Sequence, residues 1–214
     1  MSSKVFCIGF NKTGTSSMHQ LFLELGLRSF HGYYSHIPVT DPLYAAFQCF
    51  SDGNEHDFAL LDRSFPGSRF ILTTRRLDDW LASRIRHVEH RRSIGATGPM
   101  REEYEAGPRQ ALRRWIACRQ DYHQRVRRHF AGRDTDLLVI DICGGAADEN
   151  LARILAFLGY APRPGLVLPH ENPREGRGAL PSGPVRSRAE VRAEVEQALR
   201  DCGLTAEAGA SVFP

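Results

Sequence analysis

One stretch near the start of the chain carries residue types at a spacing suited to binding an anion. Gly9-Phe10-Asn11-Lys12-Thr13-Gly14-Thr15-Ser16-Ser17 leaves a short apolar run and enters a helical pattern. Backbone N–H groups at a helix start have no intrahelical partner, and the helix dipole adds positive potential there. Gly14 permits close approach of the backbone to a phosphate or sulfate. Thr15, Ser16 and Ser17 add hydroxyl donors, and Lys12 adds a full charge. The lysine is conspicuous, because Lys4 and Lys12 are the only lysines among 28 basic residues and arginine supplies the rest. The stretch reads as a phosphate or sulfate cradle built from Asn11, Lys12, Thr13, Gly14, Thr15, Ser16 and Ser17.

The pattern is not that of a nucleoside-triphosphate loop, which runs Gly-x-x-x-x-Gly-Lys-Ser/Thr. Gly9 and Gly14 have the right separation, but Thr15 stands where that lysine belongs, and Lys12 lies two places before Gly14. No acidic strand end is dedicated to Mg²⁺, with Asp141 the nearest to one. Triphosphate hydrolysis is disfavoured and no metal site is expected.

The elements that must position this loop alternate along the chain. Lys4–Phe10 is a nearly continuous apolar run, expected as a strand buried on both faces. Met18, Leu21, Phe22 and Leu25 follow helical spacing over Ser16–Leu25, and Gly26 ends that helix. Strands are expected at Leu27–His31, Ala45–Ser51, Arg69–Thr74 and Asp136–Ile142, the last one buried. Helices are expected at Asn54–Ser64, Leu77–His90, Arg109–Phe130 and Glu149–Leu158. Ser93–Pro108, with three glycines and two prolines, reads as a flexible excursion. Residues 160–186 are loop-rich. Ser187-x-x-Glu190 is a capping-box signal for a C-terminal helix over 187–203. The alternation predicts a single α/β domain over residues 1–214, with a mostly parallel central sheet flanked by helices.

Composition narrows the setting. The net charge is a modest +3, with 25 acidic residues nearly balancing the basic ones, and no aromatic stacking motif appears, so no nucleic acid partner is expected. The chain has no run of ~18 apolar residues, and Val5–Phe10 is too short for a signal-peptide core. No membrane association is expected. Cys7, Cys49, Cys118, Cys143 and Cys202 are odd in number and scattered, which points to a reducing, cytoplasmic compartment.

Phe10-x-Lys12-x-Gly14-Thr15-Ser16 resembles the 5′-phosphosulfate loop of sulfotransferases that use 3′-phosphoadenosine 5′-phosphosulfate (PAPS). A second segment carries the same resemblance. Phe70-Ile71-Leu72-Thr73-Thr74-Arg75-Arg76-Leu77-Asp78-Asp79-Trp80-Leu81-Ala82-Ser83 looks like that family's 3′-phosphate segment, in which an Arg leaves a strand and a Ser follows eight residues later. Arg75 and Ser83 match, as does Asp79 at the family's Asp position four residues after the Arg, and Arg76 competes for the role of Arg75. Leu168-Pro169-His170-Glu171-Asn172 is less specific, and Arg174-Glu175-Gly176-Arg177-Gly178 is a poor match to the segment that closes over the nucleotide. Asn11 stands where a Pro is common, and no Trp follows the hydroxyl residues, as in a small bacterial-type branch. The resemblance implies a P-loop-type three-layer fold and a PAPS-dependent transferase with PAP as product. The acceptor would be a small molecule or glycan hydroxyl or amine. The alternatives are a nucleotide or small-molecule kinase using the same loop, or a non-catalytic nucleotide-binding module.

Sulfuryl transfer needs charge stabilisation, here from Lys12, and a general base for the acceptor. Ligands of open α/β sheets lie beyond the carboxyl ends of the strands. That rule singles out Asp52 after the third strand and His31 at the end of the second, with His56 a turn further on. His19 is expected to be structural, and His87, His90, His123 and His129 solvated. Tyr33, Tyr34 and Phe47 are candidate walls for the acceptor, and Ser93–Pro108, with Met100 and Tyr104, is a candidate lid.

Overall fold

The structure, a computed structural model, describes residues 3–52, 55–169 and 186–211. The chain divides into two compact units, residues 1–75 with 124–173 and residues 76–123 with 174–214.

The first unit holds a five-stranded, wholly parallel sheet in the order β2-β3-β1-β4-β5. Its strands are β1 (Val5–Cys7), β2 (Ser29–His31), β3 (Cys49–Ser51), β4 (Arg69–Thr73) and β5 (Leu137–Ile140). Side chains alternate between faces along a strand, and each face has its own composition. Phe6 lies in register with Phe50 on one side and Phe70 on the other, and its ring stacks on theirs at 5.3 and 5.4 Å. Phe65 and Tyr44 pack onto the same row, as does Phe130 through Phe70. Those residues come from the end of α3 (Phe58–Ser64), from α2 (Leu43–Ala46) and from just beyond α6 (Pro108–His129). On the opposite face Cys7, Cys49 and Ile71 join Met18, Leu21 and Phe22 of α1 (Thr15–Glu24) and Leu151, Ile154 and Leu155 of α7 (Ala147–Leu158). The result is three layers, with an aromatic core on one side of the sheet and an aliphatic one on the other. Burial of a large apolar side chain contributes about 1.5–3 kcal/mol, so both faces hold the sheet firmly.

Several boundaries differ from expectation. The first helical turn at Leu43–Ala46 replaces the start of the expected third strand. α3 begins at Phe58 rather than Asn54, because the Asp57 carboxylate accepts the Leu60 N–H at 2.9 Å and caps the helix there. β5 is an edge strand and only Ile140 is fully buried, so the expected burial of the whole strand does not hold.

The second unit is helical. α4 (Leu77–Ser93) sets Leu77, Trp80, Leu81, Ile85 and Val88 inward, and α8 (Arg188–Asp201) contributes Val191, Val195, Ala198 and Leu199. The capping box at Ser187 and Glu190 forms as expected. The expected excursion Ser93–Pro108 contains a helix, α5 (Pro99–Ala106). Its glycines and prolines are punctuation, with Pro99 in the first turn and Gly98 and Gly107 outside the ends. Tyr104 is 4% exposed, stacks on Trp115 at 5.8 Å and donates to Glu194 at 2.6 Å, so it belongs to this unit's core and not to a lid. A last short helix, α9 (Ala206–Ala210), was not expected. Among the described residues no helix is long and apolar enough to cross a membrane.

Candidate functional site

The loop between β1 and α1 leaves the sheet at its carboxyl edge, beside the loop that follows β4. Gly9 passes so close to β4 that a Cβ there would stand 2.1 Å from Thr73 Oγ1 and 2.2 Å from the Thr73 carbonyl oxygen. Gly14 has φ 94°, and a Cβ there would meet Ile142 Cδ1 at 2.4 Å. Only glycine fits either position without displacement. The β5–α7 loop that presents Ile142 is itself fixed. Asp141 Oδ1 accepts the Cys143 and Gly144 N–H groups at 2.9 and 3.0 Å, and Asn150 donates to the Asp141 and Gly144 carbonyls.

Lys12 has φ 67°, the one positive value outside glycine among the described residues. A left-handed conformation costs a side-chain-bearing residue about 1–2 kcal/mol, and such strain gathers where a loop has work to do. Three hydrogen bonds keep the turn in shape. Thr13, fully buried, donates its hydroxyl to the Phe10 carbonyl at 2.6 Å and accepts from Thr73 Oγ1 at 2.8 Å. The Arg75 guanidinium donates to the Lys12 carbonyl at 3.3 Å. The hydroxyl of Thr13 is thus committed to the loop's own architecture. Gly14 stands at the N-cap of α1 and has no side chain with which to cap it. Thr15 and Ser17 are buried, whereas Asn11, Lys12, Gly14 and Ser16 are half-buried.

The histidines separate sharply. His31 ends β2 and is exposed. Its Nδ1 lies 3.0 Å from both the carbonyl oxygen and the hydroxyl of Ser51, and its Nε2 lies 3.2 Å from Ser16 Oγ of the loop. His19 of α1 stacks on it at 5.3 Å and holds Ser29 Oγ at 2.8 Å; burial and the nearby His31 ring push its pKa down. Asp52 follows Ser51 directly and is half-buried. His56 is 3% exposed and stacks on Tyr34 at 4.1 Å, and burial lowers its pKa to about 3. His123 is buried, and His129 bonds Asp62 at 2.8 Å, so neither is the solvated helix residue expected. Among the candidate acceptor walls, Tyr34 is buried and donates to the Cys7 carbonyl, and Phe47 packs on Phe30, while Tyr33 stays 69% exposed.

The structure therefore gathers the loop, Arg75, His31 and Asp52 at one edge of the first unit's sheet. Ser83 lies half-buried on α4 of the second unit. His170, Glu171, Asn172 and Arg174–Gly178 lie outside the described residues. Sequence reasoning missed Ser51, which holds His31, and Ile142, which seats Gly14. A cavity of about 810 Å³ along α6, lined by Arg109, Arg113, Arg114 and Cys202, includes none of the candidate residues. No protein-family model matches the chain, and comparison with curated proteins gives no match either.

Proposed function

We propose that the chain is a PAPS-dependent sulfotransferase acting on a hydroxyl or amine of a small-molecule or glycan acceptor. The observation that carries this reading is the hydrogen bond from Arg75 to the Lys12 carbonyl, which joins two segments 63 residues apart. Each segment resembles one half of a PAPS site, and their contact is what a single nucleotide site requires.

The residues fit such a donor. Gly9 and Gly14 let the loop fold tightly against Thr73 and Ile142, the amino end of α1 carries positive potential, and Lys12 supplies charge. When bound, the donor supplies an activated sulfuryl group, whose bond to the bridging phosphate oxygen breaks as a bond to the acceptor oxygen or nitrogen forms. Lys12 stabilises the charge left on that oxygen, and the N–H groups and hydroxyls of Thr15, Ser16 and Ser17 hold the phosphosulfate. Arg75, with Ser83 by its sequence spacing, takes the 3′-phosphate through the planar fork that guanidinium groups offer. His31 receives the acceptor proton on Nε2, with Asp52 the competing base. His56 is enclosed and stays neutral. A kinase reading is weaker, because Asp141 Oδ1 is committed to two N–H groups of its own turn. The unpaired state of all five cysteines fits a cytoplasmic setting.

The test is a thermal shift with PAP against one with ATP and Mg²⁺, since a ligand that binds the native state raises the melting temperature. PAP is expected to stabilise, and a shift with ATP–Mg²⁺ alone would overturn the reading. Lys12→Ala is expected to lower transfer on the order of 10²–10³-fold with the fold retained.

A further inference from the structure

His31 is held at both ring nitrogens. The Ser51 carbonyl, 3.0 Å from Nδ1, can only accept, and it already takes the Gly32 N–H at 3.2 Å. A bare Nδ1 at that distance would set lone pair against lone pair. The proton of neutral His31 therefore sits on Nδ1, with Ser51 Oγ accepting alongside. Ser51 is a positioning residue, because fixing Nδ1–H leaves a lone pair on Nε2. The Ser16 hydroxyl, 3.2 Å away, donates to that lone pair.

Ser16 is also part of the loop, two residues beyond Gly14 in the first turn of α1. A hydroxyl has one hydrogen, so it serves either His31 or an anion in the loop. We infer that Ser16 couples the two halves of the site: it covers Nε2 of His31 while the loop is empty and uncovers it when an anion takes the hydroxyl's hydrogen. This coupling rests on the reading of the loop as an anion cradle. The base becomes open to an acceptor only once the donor is in place, which gives the site an order of filling without any lid. The stacked His19 ring, anchored on Ser29, keeps the imidazole from turning away during the exchange.

The test is nitrogen NMR of histidine-labelled protein at alkaline pH, with His31 identified by its absence from the His31→Gln spectrum. Before any ligand is added, Nδ1 is expected at the protonated position and Nε2 at the unprotonated one, and the reverse pattern would overturn the tautomer. On adding PAP, the Nε2 resonance should move as for a lost hydrogen bond. It should reach the position seen in ligand-free Ser16→Ala protein, which in turn should respond little to PAP. A melting shift with PAP and a stationary Nε2 would overturn the coupling while leaving the donor assignment intact. Absence of PAP binding would overturn both, and the tautomer measurement would stand apart from either.

Discussion

At the scale of single residues, Lys12 carries a charge where the backbone conformation suits glycine. Its φ of 67° sets stability against function at one position. Lys12→Gly removes about 1–2 kcal/mol of strain, offset by about 0.5–1 kcal/mol from the freer unfolded chain. The variant is expected to unfold at a denaturant concentration no lower than the parent's, yet to lose transfer. Marked destabilisation in a urea titration would show that the left-handed turn carries no strain. Arg75 poses a different case. Arg75→Ala is expected to weaken PAP binding by about 1.5–3 kcal/mol, the worth of a charge-assisted hydrogen bond, with a smaller effect on the bound-state rate. Calorimetry showing unchanged affinity would transfer the role to Arg76.

At the scale of elements, the loop takes its shape from neighbours far along the chain. Gly14→Ala would drive a methyl into Ile142 and strain φ together. Adding Ile142→Ala relieves the first of these and not the second, so partial recovery of melting temperature is expected. Full recovery would mean that the left-handed geometry at Gly14 is unimportant. This dependence also explains which elements could be read from residue order alone. β1, α1 and β4 announce themselves through apolar runs and helical spacing, and the turn between β1 and α1 through its glycines. α5 was hidden because glycine and proline at its borders look the same whether they break a helix or bound one. The meeting of Ser51 with His31 was hidden because it depends on β3 lying beside β2, and strand order is not written in local spacing. The burial of His56 was hidden for the same reason, since it depends on Tyr34 arriving from another segment.

At the scale of the whole molecule, the buried His56 sets a pH dependence. His56 has its folded pKa lowered from 6.5 to about 3 by burial. The unfolded chain therefore binds the extra proton between those values, so stability is full above 6.5 and falls as pH drops through the window, by up to ~1.4 kcal/mol per pH unit. Asp62, held below the usual carboxylate range by the Arg133 guanidinium and by His129, acts in the same direction at lower pH. Its contribution is present above the unfolded carboxyl pKa and is lost as pH falls through the folded one. His56→Phe is expected to flatten the dependence over the upper part of the window in urea titrations at stepped pH, and an unchanged slope would mean that His56 is not the group responsible.

The strand order has a temporal consequence. β1 is made first, yet both of its partners come later in the chain, β3 at Cys49–Ser51 and β4 at Arg69–Thr73. Parallel partners cannot zip from a hairpin, so each contact waits for a long stretch of intervening chain. The loop waits longer still, because Gly9 is seated by Thr73 and Gly14 by Ile142. A nascent chain lacks the side chain that seats Gly14 until residue 142 is available. The loop after β1 thus completes its packing only after the turn beyond β5 has been made.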